Sequence, residues 1–191
     1  MPGRARTALL LLTIGFCCTG LSADAAKDAW KKCKKSDRNE PGIRLRECSL
    51  AIESGALSNE DGSEAHFIRA SAYFETGDYD RALKDLDESV RLTPSASPVV
   101  NTRGWMYLAK FEYQRAIQDF NQAIQLDRNN SYAYANRAIA EFLLGNFGAA
   151  QDDFAQNERL SPKIARPYSE LERLLAFMRE GKEKAPGGPQ V

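Results

Sequence analysis

From Ser63 onward the sequence repeats itself every 34 residues. Ala82, Ala116 and Ala150 form one column at that spacing, and Tyr79, Tyr113 and Phe147 form a second. Leu86, Phe120 and Phe154 make a third, Ala70, Gly104 and Ala138 a fourth, and Leu92, Leu126 and Leu160 a fifth. Chance does not align so many columns of matched size and polarity. A fixed period of this length constrains the fold more tightly than local propensity does. Each unit is a supersecondary element that cannot bury its apolar side alone and must stack on the next. Between Glu64 and Thr76, and again between Asp80 and Leu92, apolar residues recur every three or four positions, as a helix with one buried face requires. Ala70 and Ala82 are small where two such helices approach closely, since a larger side chain would force them apart.

These residues closely resemble the tetratricopeptide repeat. Gly77-Asp78-Tyr79-Asp80-Arg81-Ala82 and Gly145-Asn146-Phe147-Gly148-Ala149-Ala150 match its turn and the start of its second helix, and Pro94 and Pro162 match its closing proline. The resemblance implies an all-α fold, a right-handed α-solenoid of helix-turn-helix repeats, with units at 63–96, 97–130 and 131–164. Three departures stand out. Phe111 occupies the place of the turn glycine, Arg128 that of the closing proline, and Glu141 that of Tyr73 and Tyr107.

A further column pairs charges. Arg69, Arg103 and Arg137 each precede an aspartate, Asp85, Asp119 and Asp153, by 16 residues, which predicts a charge-assisted hydrogen bond inside every helix pair. Lys31 and Glu47 keep that separation upstream, so residues 26–62 read as a divergent N-terminal helical hairpin. Pro41 would open its second helix, Ala51-Ile52 would match Ala123-Ile124, and four extra residues near Gly55 to Gly62 would lengthen its exit loop. At the other end, residues 165–180 carry Tyr168, Leu171, Leu174, Leu175 and Met178 on one face, as a capping helix covering the last repeat requires. Residues 181–191 are rich in Gly, Pro and Lys and read as a disordered tail.

The first 25 residues read as a signal peptide: Arg4 and Arg6, an apolar run from Ala8 to Cys18, then Ala23-Asp24-Ala25 as the cleavage site. An exported chain, periplasmic or secreted, with no membrane span after cleavage is expected; an uncleaved anchor is the alternative. Cleavage leaves two cysteines, Cys33 and Cys48, which in an oxidising compartment read as a disulfide across the two helices of the first hairpin. Two inert buried thiols are the alternative. Lys plus Arg and Asp plus Glu both count 26, so no net field draws the chain to nucleic acid. No phosphate loop, HExxH or CxxC motif occurs, and His66 is the single histidine. Neither metal, cofactor nor catalysis is expected.

In the family the first helices of successive repeats line a concave surface, and the resemblance places Phe67, Ser71 and Phe74, then Asn101, Trp105 and Leu108, then Ala135, Ile139 and Phe142 on that partner-binding groove. An apolar, aromatic lining of this kind suits a protein or peptide partner, with Trp105 as its anchor. Phe74, Leu108 and Phe142 have an alternative role, turning inward to serve the core. Family members that grip a C-terminal carboxylate do so with Lys, Arg and Asn, and of that set only Asn101 is present here. The alternative function is that of a structural subunit of an envelope assembly, built by self-association.

Overall fold

The computed structural model describes residues 22–37 and 39–162. The expected signal segment up to residue 21, the capping helix over 165–180 and the tail over 181–191 lie outside the described residues. Within them are eight helices and no strand: α1 (Ala23–Lys35), α2 (Pro41–Glu53), α3 (Asn59–Glu75), α4 (Tyr79–Leu92), α5 (Ser97–Ala109), α6 (Tyr113–Leu126), α7 (Ser131–Leu143) and α8 (Phe147–Leu160). They pair as α1/α2, α3/α4, α5/α6 and α7/α8, and each pair packs on the next, an all-α solenoid. The second helices α4, α6 and α8 start and stop 34 residues apart, as do α5 and α7, so the sequence period is the structural period.

The crossing inside each pair is made by a small residue under a large one. A Cβ added to Gly104 would sit 2.7 Å from the Phe120 ring, so only glycine lets α5 and α6 come this close. Ala70 beneath Leu86 and Ala138 beneath Phe154 repeat the arrangement. Neighbouring pairs share their cores. Met106 of α5 joins Ala70, Ala82 and Leu86, and Ala140 of α7 joins Ala116 and Phe120. A second set of bonds closes the opposite ends. The Ser63 hydroxyl donates to the Ser89 carbonyl and the Ser97 hydroxyl to the Ala123 carbonyl, while the Asn157 amide donates to the Ser131 carbonyl. These partners stand 26 residues apart each time.

The turns between paired helices are closed alike. The amides of Asp78, Glu112 and Asn146 donate to the carbonyls of Tyr73, Tyr107 and Glu141, and the residue before each amide takes a left-handed backbone: Gly77 at φ 79°, Phe111 at 63° and Gly145 at 82°. Phe111 therefore adopts a conformation that its Cβ disfavours, with its ring exposed and edge-on to Tyr113.

The first hairpin departs from expectation in two ways. Buried Ala26, Ala29 and Cys33 reproduce the spacing of Ser97, Val100 and Gly104, so Cys33 holds the place of the crossing glycine and Lys32, not Lys31, that of the arginine. Because Cys33 and Cys48 are 15 apart where Gly104 and Phe120 are 16 apart, the first connection is one residue short and α1 slips by one. The Lys31–Glu47 pairing does not form. Glu47 takes two hydrogen bonds from Arg46, at 2.6 and 2.9 Å, and Lys32 pairs with Asp28 at 2.7 Å. The four extra residues also do not lengthen a loop. Capped by the Ser58 hydroxyl, which accepts from the Asp61 amide, they add one turn to the front of α3. That turn lets Asp61 accept a hydrogen bond from the Trp30 indole of α1 at 3.1 Å.

Cys33 and Cys48 are buried with their sulfurs 2.02 Å apart, at the crossing where the other pairs stack a large side chain on a small one. Replacing both by serine should lower stability by about 2–3 kcal/mol, the loop-closure entropy of a bridge this short, read as a lower urea midpoint. Reduction of the parent should reproduce the loss. Phe111→Gly should act in the opposite direction, raising the unfolding free energy by about 1 kcal/mol by relieving the left-handed strain, and an unchanged urea midpoint would refute that strain.

Candidate partner-binding surface

The three arginine–aspartate pairs form, and they do more than the spacing predicts. Nε and Nη2 of Arg69 fork onto Asp85 at 2.8 and 2.7 Å, those of Arg103 onto Asp119 at 2.8 and 2.8 Å, and those of Arg137 onto Asp153 at 2.7 and 2.6 Å. The remaining nitrogen of each reaches back to the second helix of the preceding pair. Nη1 of Arg69 donates to Ser49 at 2.9 Å, that of Arg103 to Asp87 at 3.0 Å and that of Arg137 to Asn121 at 2.5 Å. Every arginine is thus a bracket that holds its own hairpin closed and fixes it to the one before. The carboxylates are buried and each guanidinium is mostly covered, so the ladder is structural, with no face presented to an anion.

Clamped this way, the first helices line one side of the stack. α1 touches α3 and α5 touches α7, while α3 and α5 make few direct contacts and leave a cavity of about 340 Å³ between them. Phe67, Ser71 and Phe74 from α3 and Trp105 from α5 wall it, and Ala70, Leu86 and Met106 form its floor. Phe67, Phe74 and Trp105 lean on the buried cluster while each keeps part of its ring exposed. Thr102 and Glu75 stand at the rim, neither of which the repeat pattern had pointed to.

The other expected groove residues lie elsewhere. Asn101 lines a second cavity, of about 470 Å³, bounded by Pro98, Thr102 and the exposed Tyr132. Leu108 packs against Ala116, Phe120 and Ala140, and Ile139 and Phe142 pack against Ala138 and Phe154, with Phe142 also in contact with the Phe147 ring at 5.5 Å. Leu108 and Phe142 thus turn partly inward; Phe74, 5.6 Å from the Tyr79 ring, serves core and cavity together. Ala135 offers no surface. It is fully buried, because α5 and α7 meet directly at this level, tied by the Asn136 side-chain amide donating to Oδ1 of Asn101 at 3.1 Å, and a methyl group cannot reach past that contact.

The tetratricopeptide repeat family profile matches residues 63–96 and 98–130. Those two stretches of the chain are tetratricopeptide repeats. Over 117 residues it is 30% identical to the lipoprotein NlpI homolog of Haemophilus influenzae, an alignment that covers 61% of this chain and 37% of that protein. The chain therefore aligns with well under half of that relative's length. Among solved structures, the second repeat domain of Spaghetti (RPAP3), bound to the HSP90 peptide SRMEEVD, superposes with a TM-score of 0.52 at 28% identity, covering 54% of this chain and 95% of that one. MamA superposes with a TM-score of 0.64 at 16% identity, over 87% of this chain and 98% of that one, a likeness of fold. Such domains are protein-interaction modules.

His66, the single histidine, is a further partner in the first bracket, its Nδ1 lying 2.8 Å from Oδ1 of Asp85. Burial pushes the Asp85 carboxyl up, but hydrogen bonds from Arg69 and His66 outweigh it and hold it below the ordinary carboxylate range. A carboxyl depressed in the fold stabilises it above the unfolded value, near 4, and that contribution is lost as pH falls through the folded value. Urea midpoints measured from neutral pH down to about 3 should therefore fall in the parent below about pH 4. Asp85→Asn should be less stable at neutral pH and show a shallower fall; equal slopes would remove Asp85 from the acid response.

Proposed function

We propose that this chain is an exported, non-enzymatic module that seats a protein or peptide segment on the inner face of α3, α5 and α7, with Trp105 as the anchor. The observation that carries this reading is the apolar cavity between α3 and α5. It has three part-exposed rings around a buried floor, on helices whose spacing the arginine brackets fix. A large aromatic side chain held in a partly desolvated hollow is the usual energetic centre of an interface. The relative solved with a bound peptide supports a peptide-sized ligand, and the apolar N-terminal run together with the lipoprotein relative supports a place in the cell envelope. Non-enzymatic action rests on chemistry. The one histidine and the buried aspartates Asp85, Asp119 and Asp153 are engaged in the brackets, where they hold helices together.

Trp105→Ala should weaken binding of a partner captured from envelope extract by about 2 kcal/mol or more, measured by calorimetry, with the helical circular dichroism unchanged. Equal affinity of variant and parent would reject the inner face as the site. Sedimentation at rising concentration separates capture of a foreign partner from self-association, the alternative, which a concentration-dependent increase in mass would favour.

A further inference from the structure

Resting on that reading, we infer that the seated segment is extended and uncharged to basic, placing a bulky apolar side chain in the α3–α5 cavity and a polar or cationic group beside Asp127. The two cavities on the inner face are neighbours, because Thr102 lines both. One segment crossing α5 would occupy each in turn. Their chemistry differs sharply. The first is walled by rings and floored by Ala70, Leu86 and Met106; its one charged lining residue, Glu75, is ion-paired with the buried Arg44. That end is apolar and close to neutral.

The second cavity is lined by amides, hydroxyls and one acid. Oδ1 of Asn101 accepts from the Asn136 side-chain amide at 3.1 Å, and Asn130 both caps α7 and donates to the Ser97 hydroxyl at 2.8 Å, so these side chains are held in place. Fixed amides, with the exposed Tyr132 hydroxyl, suit the N–H and C=O groups of an extended backbone. Asp127 is the charged lining residue here, its Oδ1 accepting the Asn129 amide at 2.9 Å. Among the described residues, no lysine or arginine lines either cavity. An acidic segment, such as the SRMEEVD peptide seen on the RPAP3 domain, would bring carboxylates against Asp127 with no compensating cation.

The test uses short peptides with blocked termini and a central phenylalanine, flanked by lysine, glutamine or glutamate, titrated into the folded chain by fluorescence anisotropy. The lysine-flanked peptide should bind about tenfold tighter than the glutamate-flanked one, with glutamine between them. Asp127→Asn keeps the oxygen that accepts the Asn129 amide, so the turn survives, and it should reduce that preference to about threefold or less. Trp105→Ala should weaken all three peptides. If the three bind equally and Trp105→Ala weakens them, the inner face is the site but its charge preference is overturned. Tighter binding of the glutamate-flanked peptide overturns it also. If none binds, or if Trp105→Ala changes nothing, both the preference and the inner-face reading fall.

Discussion

One guanidinium per repeat holds this solenoid together. Its fork closes the hairpin to which it belongs, and its third donor fixes that hairpin to the one before, so a single side chain sets two distances at once. Such a pair adds little net stability over an apolar replacement, because desolvating both charges offsets most of their attraction. Its effect is on register. A hairpin slipped by one residue would leave a buried aspartate without its arginine, and breaking a buried pair in that way costs about 3–5 kcal/mol. The small-on-large crossings supply the apolar stabilisation. The brackets make one stacking arrangement much better than its neighbours.

That division explains what could be read from the sequence. Both halves of the aspartate fork recur at a fixed spacing, so the column was visible, as were the crossing residues. The third donor of each arginine was invisible because its acceptor changes from Ser49 to Asp87 to Asn121, three residue types with no shared signature. The separation of Arg69 from Ser49 also exceeds the other two by four residues, which are the added turn of α3. A period reveals columns of like residues; it is blind to a position defined only by offering an oxygen at the right distance. The same blindness hid Thr102 and Tyr132, which line the inner face at positions with no recurring residue type.

The first hairpin shows where extrapolating a period fails. Carrying the charge column upstream put Lys31 opposite Glu47, yet the buried faces of α1 and α2 are set by which residues touch, and the shorter connection shifts α1 by one. Once the crossing is aligned through Cys33 and Cys48, the slip is plain. A hairpin with no bracket of its own from Lys31 has two cysteines where the others have a small residue under a large one. Terminal repeats lack a neighbour on one side and open most readily, so this is where a covalent link between helices has the greatest effect on fraying.

Uniform brackets also let the inner face vary. The place held by Ser71 in the first full repeat is held by Trp105 in the second and Ile139 in the third, while the arginine two residues before each keeps the same partners in the second helix. Since the helix spacing does not depend on the residue that looks inward, that residue is free to be hydroxyl, indole or aliphatic without repacking the stack. The α3–α5 cavity is a consequence: a small serine faces a large indole across helices that make few direct contacts, and the difference in size becomes a hollow. Between α5 and α7 the helices meet at Ala135, which is sealed, and the hollow between their N-terminal ends is lined mainly by amides, hydroxyls and Asp127. The apolar hollow therefore falls at the inter-repeat step where the size of the inward residue changes most while the brackets stay constant.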